Sequence, residues 1–193
     1  GDIANVESWD GSSWTEIADV NQARIAMGKA TSIAGNSLGL LFGGGPGGKN
    51  ETESWNGSAW TELNNLNTGR RYISGFGLST SALGMGGETA TAGSVNLVES
   101  WNGTSWTEVA EVNTGRQGGS AAGDTNVLGI YFGGGTNLLT EAWNGTAWTE
   151  VNDLAAAKNE GSGSGTSNAA FVVLGTVTEE WTVPVNTVTF TVS

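Results

Sequence analysis

The sequence contains no cysteine and no histidine, and these two absences remove several kinds of chemistry at once. Without cysteine there are no disulfide bonds and no thiolate zinc sites, and without histidine there is no imidazole acid–base or metal chemistry. Compartment is not decided by these absences, because a chain without cysteine suits an oxidising or a reducing environment equally. Much of the usual catalytic chemistry is therefore missing, although composition does not exclude a pair of carboxylates. We expect no catalytic residue, no cofactor and no metal ligand in this chain.

Basic residues and long apolar runs are also scarce. The chain has 7 lysines and arginines against 19 acidic residues, which gives a net charge of −12. Such a charge repels phosphate backbones and anionic lipids, so we expect no nucleic-acid partner. No apolar run reaches the roughly 18 residues of a membrane span, and the first residues lack the order of a signal peptide. We expect no membrane insertion.

Tryptophan, by contrast, is abundant, and eight of the nine tryptophans form pairs in which the two residues are five positions apart. The first members of successive pairs are separated by 46, 46 and 42 residues, and a further 38 residues lead to the ninth tryptophan. Such periods are typical of propeller blades and similar repeats. The tryptophans are Trp9 and Trp14, Trp55 and Trp60, Trp101 and Trp106, Trp143 and Trp148, and the single Trp181.

Each tryptophan pair flanks an Asn-Gly or Asp-Gly turn, as in Glu-Ser-Trp-Asn-Gly-Ser-Ala-Trp-Thr-Glu at 53–62. The Asn-Gly dipeptide predicts a two-residue type I′ turn, in which Trp55 pairs with Ser58 and Glu53 pairs with Trp60. In that register both indoles project from one face, where a neighbouring surface should cover them. Sugar stacking is a weaker interpretation, because a tryptophan buries about 150–250 Å² when it packs in a core.

Two further segments precede each of the last three tryptophan pairs and Trp181. Apolar runs that end in glycine occur at 38–45, 82–87 and 127–135, with a degenerate fourth run at 171–175. They are apolar on both faces, which indicates strands that lie between neighbouring sheets. The small-residue segments ahead of them suit a crowded innermost strand. The small-residue segment, the apolar run and the two halves of the tryptophan hairpin thus predict four antiparallel strands in each unit.

The glycine doublet followed by an aromatic residue and a spaced tryptophan resembles the kelch repeat, although tryptophan replaces the usual tyrosine of the third strand. This resemblance implies an all-β fold, a kelch-like β-propeller of four-stranded antiparallel blades in a small single domain. We predict five blade positions, with four as the alternative. The close likeness of the units to one another also resembles the repeat arrays of bacteriophage virion and tail-associated proteins.

The units divide the chain into a propeller region at 1–183 and a C-terminal segment at 184–193. The tail alternates, with Val188, Phe190 and Val192 on one face, and predicts a closing or exchanged β-strand. The first unit supplies two outer strands alone, so we predict self-association or binding to other virion or surface proteins. The units run over about 3–20 (partial), 25–66, 70–112, 116–154 and 158–183.

Charged residues recur with the same period as the tryptophans. We expect exposed blade-to-blade ion pairs, each worth about 0–1 kcal/mol. A catalytic pair of carboxylates normally breaks a repeat, so this regularity indicates a protein that is not an enzyme; Glu88 and Asp124 are weak exceptions. The recurring residues are the acids Glu7, Glu53, Glu99, Glu141 and Glu179 and the bases Arg24, Arg70, Arg116 and Lys158.

Three loops that differ between units, 45–51, 87–97 and 135–140, should cluster at one end of the ring and form the binding surface. Their candidate ligand residues are Lys49, Asn50, Glu88, Thr89, Thr136 and Asn137.

These features predict a non-enzymatic structural or adhesive module of a virus particle or an extracellular surface assembly, with virion or extracellular localisation and a host glycan as a candidate ligand. Two alternatives stay open: a lectin-like accessory domain or carbohydrate-active enzyme, and a kelch-type protein-interaction scaffold.

Overall fold

The computed structural model describes residues 3–31, 37–157, 160–174 and 177–183. These residues form 17 β-strands and no α-helix, and no helix that could span a membrane occurs among them. Lys158 and the C-terminal segment 184–193, for which pairings were expected, lie outside the described residues.

The strands form antiparallel sheets of two, four, four, four and three strands. The N-terminal hairpin consists of β1 (Val6–Trp9) and β2 (Trp14–Ile17). Blade 1 consists of β3 (Gly28–Thr31), β4 (Gly39–Phe42), β5 (Thr52–Trp55) and β6 (Trp60–Leu63). Blade 2 consists of β7 (Ser74–Leu78), β8 (Ser81–Met85), β9 (Val98–Trp101) and β10 (Trp106–Glu108). Blade 3 consists of β11 (Ser120–Thr125), β12 (Leu128–Phe132), β13 (Thr140–Trp143) and β14 (Trp148–Val151), and blade 4 of β15 (Ser162–Gly165), β16 (Ala169–Leu174) and β17 (Val177–Thr182).

Within each sheet the strands pair in chain order, and the first strands of successive blades, β3, β7, β11 and β15, are neighbours. These four small-residue strands together line a central cavity of about 330 Å³. The arrangement confirms the predicted all-β propeller fold with four-stranded antiparallel blades. The five sheets are compatible with five blade positions.

The hairpin turns differ from the prediction. Trp55 pairs directly with Trp60 and Glu53 with Glu62, so four residues, 56–59, form the connection. The Asn56 carboxamide oxygen accepts hydrogen bonds from the backbone N–H groups of Ser58 and Ala59, each at 2.9 Å. The predicted two-residue turn is therefore wrong. The backbone of Asn56 does not adopt the left-handed conformation that such a turn requires, and its side chain caps a longer turn instead.

Each blade has two apolar faces. We call the face that contacts the next sheet along the chain the forward face, and the opposite face the backward face. On the forward face of blade 1, Leu40 and Phe42 pack against Trp101 and Trp106 on the backward face of blade 2. The Phe42 and Trp106 rings meet edge to face, with centroids 4.7 Å apart. Burial of these large rings contributes to the apolar stabilisation between blades.

The same contact joins the later blades. Its residues are Leu83, Met85, Trp143 and Trp148 between blades 2 and 3, and Ile130, Phe132, Ala170 and Trp181 between blades 3 and 4.

Glycines allow the blades to approach this closely. Gly129 of blade 3 lies under the ring of Phe76 in blade 2, and a Cβ atom at Gly129 would stand 2.0 Å from that ring. Since atoms cannot approach to that distance, any side chain at this position would force the two blades apart.

Candidate functional site

The recurring arginines and glutamates form buried ion pairs. Arg70 Nη2 donates to Glu99 Oε1 at 2.9 Å, and the two side chains are 0% and 1% exposed. Arg24 pairs with Glu53 in blade 1 in the same way, and a third pair joins Arg116 to Glu141 in blade 3. The expected exposed, blade-to-blade pairs are therefore wrong on two counts: these pairs are buried, and each joins a blade to the linker that leads into it.

Each ion pair anchors the linker that leads into its blade. The second oxygen of Glu99 accepts hydrogen bonds from the backbone N–H and the side-chain amide of Asn67, at 2.7 and 2.9 Å. Arg70 in turn donates to the carbonyl oxygens of Gly86 and Leu97, at 2.8 and 2.7 Å. Both charges are thus surrounded by hydrogen-bond partners, which offsets the cost of burying them.

The asparagine of this motif escaped the sequence reasoning, although it recurs. Asn21 and Asn113 bind the carboxylates of Glu53 and Glu141 as Asn67 binds that of Glu99, and each stands three positions before an arginine. The Asn-x-x-Arg spacing is the signal that would have revealed it. In blade 4 the backbone N–H groups of 155 and 156 bind the Glu179 carboxylate in the corresponding place.

Burial sets the protonation of the groups around these pairs. Desolvation lowers the pKa of Arg70, and the adjacent Glu99 carboxylate counteracts that shift. Desolvation also raises the pKa of the Tyr131 phenol, whose ring lies 4.1 Å from the guanidinium carbon of Arg116. The neutral phenol donates a hydrogen bond to the Arg116 carbonyl oxygen at 3.2 Å. Arg70, Arg116 and Tyr131 are thus fixed inside the fold by these contacts.

Four residues in left-handed conformation lie two positions before the first strands of blades 1 to 4. Ala26, Tyr72, Gly118 and Glu160 have φ values of 53°, 52°, 62° and 57°. Tyr72 N donates to Ala26 O at 2.7 Å, Gly118 N to Tyr72 O at 2.9 Å, and Glu160 N to Gly118 O at 2.8 Å. A backbone hydrogen bond at this position therefore joins each of blades 2 to 4 to the blade before it, although the four side chains have nothing in common.

The cavity wall itself is mostly backbone and small side chains. Its charged residues are Lys29 of blade 1 and Asp124 of blade 3, both of them exposed. Ser164 and Thr166 of blade 4 add hydroxyl groups. The wall can offer hydrogen bonds to a polar ligand, but it offers a single carboxylate for chemistry.

The predicted loop residues all lie between the second and third strands of a blade, and thus at the same end of their blades. Three of them engage neighbouring parts of the chain. Lys49 Nζ donates to the Ala23 carbonyl oxygen at 3.0 Å, the Asn50 side-chain amide donates to a backbone carbonyl oxygen, and Glu88 forms an ion pair with Arg71. These contacts hold the loops to the adjacent linkers.

The other three loop residues are placed differently. Thr89 Oγ1 accepts a hydrogen bond from the Ala92 N–H at 2.9 Å within an exposed turn. Asn137 donates its backbone N–H to Gly134 O at 3.0 Å, and Thr136 is exposed. The structure therefore brings no two of the six residues into a shared pocket among those described. No group of three acidic side chains able to hold a metal ion occurs within the described ranges.

The tryptophans fall into two groups. Those of blades 1 to 3 are buried or half-buried, whereas Trp9 and Trp14 of the N-terminal hairpin are 46% and 64% exposed. The half-buried Trp181 of blade 4 donates its indole N–H to Ser167 O at 3.2 Å. Core packing thus accounts for the pairs inside the array, and the hairpin pair differs from them.

Comparisons with known proteins agree with this fold. No family model matches the chain, and no curated protein matches it. Among solved structures 182 chains match, and one of them is the structure of YjhT, with a TM-score of 0.69 and 12% sequence identity. The match covers 83% of this chain and 62% of YjhT, so the chain spans less than two thirds of that protein. At this identity the likeness shows the fold alone, a β-propeller-like arrangement.

Proposed function

We propose that the protein is a non-enzymatic structural and adhesive module of a surface assembly, on a virus particle or on the outside of a cell. The burial of the repeated charges carries the proposal. Arg70 and Glu99, with their counterparts in blades 1 and 3, hold linkers to blades and are not accessible to a ligand. In these three blades the recurring charges thus serve to build the array, as in a scaffold.

The resemblance of the units to repeat arrays of phage virion proteins supports the surface location. The net charge of −12 favours a protein or glycan partner over nucleic acid.

The cavity does not favour the enzymatic alternative. Glycoside hydrolysis by paired carboxylates needs two such groups within about 10 Å of each other. Along the described wall Asp124 is the sole carboxylate, and Glu88, the other acidic residue singled out from the sequence, is bound to Arg71. Asp124 and Glu88 are thus not arranged as an acid–base pair.

A lectin-like role is the second candidate, because the cavity has the composition of a polar ligand site. Lys29 and Asp124 at its wall, with the hydroxyl groups of Ser164 and Thr166, can exchange hydrogen bonds with the hydroxyl groups of a sugar. A glycan array would test this directly, with Asp124→Asn as the variant that should lose any bound glycan.

Antibody labelling of intact particles and unpermeabilised cells of the source tests the main proposal. We expect label on the outside of the intact surface. Label that appears only after lysis would contradict the surface role. A panel of chromogenic glycosides tests the non-enzymatic part of the proposal, because hydrolysis that depends on Asp124 would make the protein an enzyme.

A further inference from the structure

The two ends of the blade array carry matching surfaces that the structure leaves exposed. At one end, the backward face of the N-terminal hairpin presents Trp14, which is 64% exposed and whose ring centroid lies 5.4 Å from that of Trp9. At the other end, the forward face of blade 4 presents Phe171 and Val173, which are 43% and 37% exposed. Apolar side chains of this size are normally covered when they are adjacent.

The strand registers show what these residues correspond to inside the array. Val172 of β16 stands opposite Glu179, as Leu41 of β4 stands opposite Glu53. Phe171 and Val173, on either side of Val172, therefore occupy the positions of Leu40 and Phe42, which lie on either side of Leu41.

Leu40 and Phe42 are fully buried, because tryptophans of blade 2 cover them.

The hairpin corresponds to the covering partner. Trp9 pairs with Trp14 as Trp101 pairs with Trp106, and the ring centroids within the two pairs are 5.4 and 5.3 Å apart. Inside the array, the Trp106 pair lies against the forward face of blade 1. The hairpin thus carries the half of this contact that the forward face of blade 4 lacks.

We propose that these two faces bind each other between two copies of this chain, so that the hairpin of one copy packs on the forward face of blade 4 of the next. The inference rests on the proposed structural function and names its partner as a second copy. The contact repeats one that the fold already makes three times between its blades. Since the two faces differ, the association is head to tail and yields a closed ring or an open filament.

Charge predicts how this association depends on salt. Each copy has a net charge of −12, so two copies repel each other at low ionic strength. The contacting side chains are apolar, so salt screens the repulsion between copies without weakening the contacts themselves. We therefore expect the assembled fraction to rise with sodium chloride concentration. If ion pairs held the copies together, the assembled fraction would decrease instead.

Two single variants and their mixture test the head-to-tail geometry. Trp14→Ser removes the hairpin face, and Phe171→Ser removes the blade 4 face. Each variant alone should sediment as a monomer of 19.7 kDa, while an equimolar mixture should form a dimer of twice that mass and nothing larger, because one intact pair of faces is left. Val127→Ser, which changes a side chain 54% exposed on neither face, should assemble as the wild type does.

Several outcomes would overturn the inference. A wild-type monomer with Trp14 protected from quenchers would mean that the two faces close within one chain. An oligomer unaffected by both variants would place the contact on another surface, and the structural function proposed above would still stand. Val173→Glu serves as a second blade 4 variant should Phe171→Ser fail to fold, with circular dichroism as the check on folding.

Discussion

The buried ion pair of blade 2 predicts a large effect from a change of one atom. Glu99→Gln preserves the shape of the side chain and removes its charge. The carboxylate is 1% exposed and accepts hydrogen bonds from Arg70 Nη2 at 2.9 Å and from both nitrogens of Asn67 at 2.7 and 2.9 Å. The variant would place an amide N–H₂ group against these donors and leave the guanidinium charge without its partner. Breaking a buried pair in this way costs about 3–5 kcal/mol.

Urea unfolding followed by tryptophan fluorescence measures this loss. The control is Glu108→Gln, an exposed glutamate that stands directly opposite Glu99 in the same hairpin and should change the free energy of unfolding by less than about 0.5 kcal/mol. Adding Arg70→Met to Glu99→Gln should cost less than the sum of the two single variants, because the unpaired charge is then gone. A loss of under about 1 kcal/mol for Glu99→Gln would refute the anchoring role of the pair.

Three further predictions follow from packing and burial. Trp106→Ala should cost about 3–5 kcal/mol in urea unfolding, whereas Trp14→Ala should cost far less in dilute solution, where no second copy covers Trp14; equal losses would contradict the difference in burial. Gly129→Ala should destabilise by about 1–3 kcal/mol through its clash with a neighbouring ring, and Gly93→Ala, which meets nothing within 4 Å, should be close to neutral; a neutral first variant would refute the close approach of the blades. Burial raises the pKa of the Tyr131 phenol above its ordinary value of 10.0. The neutral phenol therefore contributes its full share to the free energy of unfolding below pH 10, and that share is lost as the pH rises through the folded-state pKa. Tyr131→Phe should flatten this decline in stability, and an unchanged dependence of stability on pH would contradict the burial of the phenol.

The blade architecture could be predicted from the sequence because it depends on short-range pattern. The spacing within Trp55–Trp60 and its repeats gives the outer hairpin, and the apolar and small-residue segments give the inner strands. The register of the hairpin could not be predicted in this way. Both two-residue and four-residue turns begin with Asn56-Gly57, and the capping by the asparagine side chain decides between them.

The candidate site was less accessible from sequence. The period of Arg70 and Glu99 was visible, but burial depends on how the linker folds over the third strand, and no local pattern reports that. The left-handed positions just before the first strands fall on residues as different as Ala26, Tyr72 and Glu160, so composition gives no sign of them. Exposure of Trp14 likewise follows from its place in the array, since its immediate sequence is almost that of the buried copies.

Light scattering of the purified wild-type chain over a range of concentrations tests the central claim most directly, namely that the repeats build an assembling structural module. The account predicts a mass that exceeds 19.7 kDa, grows with concentration or settles at a fixed multiple, and increases with salt. A mass of 19.7 kDa at every concentration and every salt level would contradict it.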